Sequence, residues 1–99
     1  MRLDDEFDVL VDVQKGRYKV HVKCTYVSAQ IYRFDVNGGE RQLKLRTDFP
    51  LVYSQKKRSK PAQWKIEEGE KPKSGVAFYI MIEKIEQYLK KDFELTGVG

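Results

Sequence analysis

The residues able to do nucleophilic, acid–base or metal chemistry are few and poorly placed for it. The 99-residue chain carries one histidine, His21, and one cysteine, Cys24. A metal centre built from several imidazoles or thiolates is therefore beyond a single chain, and no disulfide framework can form. His21 and Cys24 stand three positions apart. On a strand, odd spacing sends two side chains to opposite faces, so they do not make a nucleophile and its base. Ser28, Ser54, Ser59 and Ser74 occur in no nucleophile-elbow context. Gly38-Gly39 lacks the Gly-Lys-Ser/Thr ending of a phosphate-binding loop. With 15 acids some carboxylate pair always exists, and a pocket between sheet and helix would be built around a carboxylate such as Glu83. No spacing singles it out. The chain is expected to be no enzyme, with no catalytic residue, no metal ligand and no cofactor.

One segment stands above background. Gln55-Lys56-Lys57-Arg58-Ser59-Lys60-Pro61 holds four bases and no acid, and Trp64 and Lys65 follow. Clustered cations attract polyanions by releasing counterions, and an aromatic ring beside them can stack on an unpaired base. Lys56, Lys57, Arg58, Lys60, Trp64 and Lys65 are thus the candidate binding residues. The plainer reading is a solvated loop that also discourages edge-to-edge strand pairing, with Trp64 in the core. That reading carries more weight, because the net charge is only +4. No RNP-type aromatic motif, helix-turn-helix or KH-type glycine loop accompanies the segment either.

Six tyrosines offer a second kind of surface, since a ring with a wet hydroxyl suits interfaces. Tyr79, exposed beside Val76 or Ile80, would give a protein-contact patch. The leading expectation is a small non-enzymatic domain that binds a protein partner or a second copy of itself. Nucleic-acid or polyanion binding through residues 56–65 is one alternative, and a small-molecule pocket between sheet and helix is another.

The elements that must position these residues follow from periodicity. Phe7, Val9, Val11 and Val13 alternate with polar residues, as do Tyr18, Val20, Val22, Cys24 and Tyr26, so each reads as a half-buried strand. A four-residue loop, Gln14-Lys15-Gly16-Arg17, would pair Val11 with Val20, Asp12 with Lys19 and Asp8 with Lys23. His21 then faces Leu10 on the outer face, an exposed strand histidine. Ser28 marks the next turn. Asn37-Gly38-Gly39-Glu40 signals a second hairpin that would pair Phe34 with Leu43 and Tyr32 with Leu45. Phe49-Pro50 interrupts the fourth strand, Leu51-Val52-Tyr53 reads as a short fifth, and Ala62, Trp64 and Ile66 mark a sixth.

From Ser74, a candidate cap, the period changes to a helical stripe of Phe78, Met81, Ile82, Ile85, Tyr88 and Leu89. The helix is placed over 74–91, although 76–82 alone also fits a strand. Residues 92–99 form a tail whose Phe93 and Leu95 tuck against the core. The expected fold is a single α+β domain over 1–99: an antiparallel meander of five or six strands within 1–67, curled, with one C-terminal helix packed across one face. The acidic start, Met1 to Glu6, is unlike a secretory leader, and the longest apolar run, 76–82, is far below a membrane span. No membrane contact and a cytoplasmic location are expected. Charge is unevenly spread, for residues 54–66 carry five bases and no acid.

Overall fold

Alternation of apolar and polar residues builds β1 (Glu6–Val13) and β2 (Gly16–Val27), which pair as an antiparallel hairpin. The computed structural model describes residues 1–14, 16–38, 41–54, 61–71 and 75–96, with the backbone alone for Ser54 and residues 93–96. β3 (Tyr32–Gly38), β4 (Arg41–Thr47) and β5 (Trp64–Glu68) continue the meander into an open five-stranded sheet of order β1-β2-β3-β4-β5. β1 and β5 are its edges. The α+β architecture expected from the sequence is the one observed.

Both hairpins are shifted by two residues from the expected register. Val11 lies opposite Tyr18 and Asp12 opposite Arg17, with Val13 and Gly16 closing the ladder. Phe34 lies opposite Leu45 and Tyr32 opposite Thr47. A two-residue slip leaves every side chain on its own face, so the apolar face survives while every cross-strand partner changes. His21 consequently faces Asp8, not Leu10.

Three local departures have identifiable causes. Thr47 Oγ1 accepts the Phe49 N–H at 3.1 Å and the Asp48 carbonyl accepts the Val52 N–H at 3.0 Å. This starts a short helix, α1 (Phe49–Ser54), where a fifth strand over 51–53 was expected. Pro50 falls in its first turn, where a missing N–H costs nothing. Thr25 is a bulge residue between Cys24, opposite Phe34, and Tyr26, opposite Arg33. The bulge moves Tyr26 from the expected inner face to the outer one. At the end of β5, Gly69 has φ +98, and a Cβ there would stand 2.5 Å from the Gln42 carbonyl oxygen. Only glycine fits this close approach.

α2 (Gly75–Thr96) covers the inner face and is helical throughout 76–82. It runs antiparallel to β1: the Tyr88 ring stacks on Phe7 with centroids 3.8 Å apart, and Asp92 pairs with the Met1 amino group. Met81, Ile85 and Leu89, spaced by one turn, are buried against Phe7, Val9, Val22 and Phe34. Fully burying an aliphatic side chain contributes roughly 1.5–3 kcal/mol, so this stripe is a principal tie between helix and sheet. The helix continues past residue 91, which leaves Lys90 and Lys91 inside it rather than at its C-terminal end. The expected cap Ser74 and the side chains of Phe93 and Leu95 lie outside the described residues.

Candidate anion-binding face of the sheet

Because α2 covers one face only, the other face is a layer of polar side chains, and register decides which become neighbours. Along β1 and β2 acids meet bases. Arg17 Nε donates to Asp12 Oδ1 at 2.7 Å, Lys19 Nζ lies 3.4 Å from Asp8 Oδ2, and Lys23 Nζ lies 3.9 Å from Asp4 Oδ1. His21 sits between two carboxylates, Nδ1 at 2.7 Å from Asp8 Oδ1 and Nε2 at 3.1 Å from Glu6 Oε1. The Asp8 and Glu6 hydrogen bonds raise the imidazole's pKa above its usual 6.5. The His21 hydrogen bond in turn holds the Asp8 carboxyl below 3.8. This half of the face is internally neutralised.

Across the middle, Lys23, Asp35, Lys44 and Glu68 form a row of alternating sign through β2, β3, β4 and β5. Lys44 Nζ is 3.3 Å from Glu68 Oε2. A shallow polar depression of about 250 Å³ opens here, lined by Asp35, Lys44, Glu68 and Gly69 among others. Its lining sets two carboxylates, Asp35 and Glu68, against the single Lys44 ammonium, so it does not favour an anion.

The next outward row differs. Tyr26, Arg33, Arg46 and Lys65 lie directly opposite one another on β2, β3, β4 and β5. At the usual strand spacing the row is about 15 Å long at Cα. Arg33 spreads its guanidinium over the Tyr26 ring, 5.2 Å from the centroid, and its Nε lies 3.3 Å from Glu67 Oε1. Arg46 and Lys65 have no ion pair among the described residues. Like charges set opposite one another on a sheet are destabilising. A face shaped for stability alone would alternate them, as the neighbouring row does.

Of the candidate residues read from sequence, Lys65 belongs to this row. Trp64 does not: it faces inward and stacks on Phe34 with centroids 5.9 Å apart, its indole N–H buried. Glu86 on α2 approaches it from the helix side. Burial raises the Glu86 pKa, while the Trp64 N–H and Lys90 pull it down. Glu83, the example of a carboxylate around which a pocket could be built, is exposed. Lys56, Lys57, Arg58 and Lys60 lie outside the described residues. Ahead of β5, the Gln63 N–H donates to Asp48 Oδ1 at 2.7 Å.

Sequence reading missed Tyr26, Arg33 and Arg46. The available signal was that both arginines alternate out of phase with Tyr32, Phe34, Leu43 and Leu45. Among the described residues no group of three or more His, Cys, Asp or Glu could hold a metal ion, and Cys24 is buried, its thiol pKa pushed up by desolvation. No helix among them is long and apolar enough to cross a membrane. No protein-family model matches the chain, and no curated protein or solved structure shows significant similarity to it.

Proposed function

We propose that the chain is a small non-enzymatic binding domain whose uncovered sheet face takes a polyanionic partner at the Arg33–Arg46–Lys65 end. The observation that carries the reading is the row itself: three cations set side by side at a cost, two of them with no ion pair among the described residues, next to a row that alternates in sign. Such binding rests on counterion release and weakens steeply with salt. Heparin affinity measured by calorimetry between 50 and about 200 mM salt tests it. Neutralising Arg46 and Lys65 together should weaken binding at least tenfold and flatten the salt dependence. An unchanged slope contradicts the proposal.

A second reading, self-association, has its own observation. Val76 and Tyr79, one helical turn apart on α2, are 67% and 69% exposed. This fits the protein-contact surface that the sequence favours, but two side chains fall well below the roughly 800 Å² per partner of a stable interface. Light scattering at high protein concentration decides it, because a second copy docked there would double the mass and Tyr79→Asn would restore the monomer.

A further inference from the structure

The row is not merely basic. Its first two members form a stack, and that stack narrows the kind of anion it suits. Glu67 holds Arg33 through Nε, and the guanidinium carbon stands over the Tyr26 ring, 5.2 Å from its centroid. The Arg33 side chain stays 47% exposed in this position, so part of the guanidinium remains open to a ligand. Arg46 and Lys65 continue from it as point charges at successive strand spacings. A planar platform at one end and two cations beyond it match a chain with both a π-face and regularly spaced phosphates. Unpaired nucleotides have both: bases stack on arginine planes and aromatic rings, and phosphates take the lysine and arginine charges. A duplex hides its base faces, and a sulfated sugar or lipid headgroup has no π-face to offer.

We propose that the partner of this end of the sheet is single-stranded nucleic acid, with phosphates on Arg46 and Lys65 and one base on the Arg33–Tyr26 stack. The inference rests on the polyanion reading above and deepens it.

Fluorescence anisotropy with a labelled oligothymidine of about 12 nucleotides tests it, a length within the range that single-strand-binding surfaces occupy. Duplex DNA of the same length, heparin and vesicles of anionic phospholipid serve as competitors. The single strand should bind several-fold more tightly than the duplex. Arg33→Lys keeps the charge and removes the plane, so it should lower single-strand affinity about fivefold or more while leaving heparin affinity unchanged. Tyr26→Leu should do the same with an unchanged salt slope. Arg46→Gln with Lys65→Gln should reduce that slope by about 1.4. Circular dichroism of each variant separates these effects from unfolding. Equal affinity for single strand and duplex, a harmless Arg33→Lys, or preference for vesicles overturns this inference and leaves polyanion binding standing. Failure of heparin and oligonucleotide alike overturns both.

Discussion

The two ends of the uncovered sheet face are made of the same residue types and do opposite things with them. On β1 and β2, Arg17, Lys19, His21 and Lys23 each lie within 4 Å of a carboxylate from the first 12 residues. On β3, β4 and β5, Arg33, Arg46 and Lys65 are set against one another, and Glu67 answers only the first. The difference teaches that net charge is a poor guide to where a protein meets an anion. The hairpin is rich in cations yet locally neutral. The far end has few cations, and two of the three, Arg46 and Lys65, have no ion pair among the described residues.

That contrast can be broken at several levels, beginning with the scaffold. Leu45 lies on the inner face between Phe34 and Ile66 and is fully buried. Leu45→Ala should cost about 2–5 kcal/mol, read as a lower urea midpoint, and the cationic row should lose binding only in proportion to unfolding. Gly69→Ala should come next, at about 1–3 kcal/mol, because neither its φ nor the Gln42 carbonyl leaves room for a Cβ. It should loosen β5, and with it Lys65, in hydrogen exchange, while β1 amides keep their protection.

Charge reversal compares the two ends directly. Arg46→Glu with Lys65→Glu should reduce heparin affinity by more than tenfold and leave the melting temperature within a few degrees. Arg17→Glu should do the reverse, with little change in binding and a small loss of stability, no more than about 1 kcal/mol for an exposed pair. Finally, the hairpin should carry a pH signature that the far end lacks. The His21 pKa is raised on folding, so its contribution is complete below about 6.5 and is lost as pH rises through the folded value. The Asp8 pKa is depressed, so its contribution is present above 3.8 and is lost as pH falls through the folded value. The hairpin is therefore tied most firmly between these limits. Replacing His21 by Gln should flatten the melting temperature between pH 6 and about 8, the window in which an imidazole titrates. A profile unchanged by the substitution removes the His21 clamp from the account.

How far the sequence could be read depended on which quantity period two protects. It protects faces. Phe7, Val9, Val11, Val20, Val22, Phe34, Leu43 and Leu45 all fall on the buried side as the alternation requires, and the helical stripe of Met81, Ile85 and Leu89 covers them. It does not protect partners, since a slip of two residues is invisible to alternation. In the expected register Arg33 lies opposite Lys44; in the observed one it lies opposite Arg46. The Arg33–Arg46–Lys65 row forms only in the second, although the first also sets Arg33 against a cation. Tyr26 needed a bulge at Thr25 that no residue type announces. The apolar run 51–53 was too short for periodicity to separate strand from helix, and the Thr47 and Asp48 hydrogen bonds decided it.

The central claim is one of place: the anion is met at the β3–β5 end of the open face. Amide chemical-shift mapping during titration with an oligothymidine or heparin tests this most directly. The account predicts that the largest shifts fall on Tyr26, Arg33, Arg46 and Lys65 and their neighbours, with Glu6–Asp12 and Arg17–Lys23 nearly still. Shifts concentrated on the β1–β2 hairpin or along α2, or none at all at low salt, would contradict it.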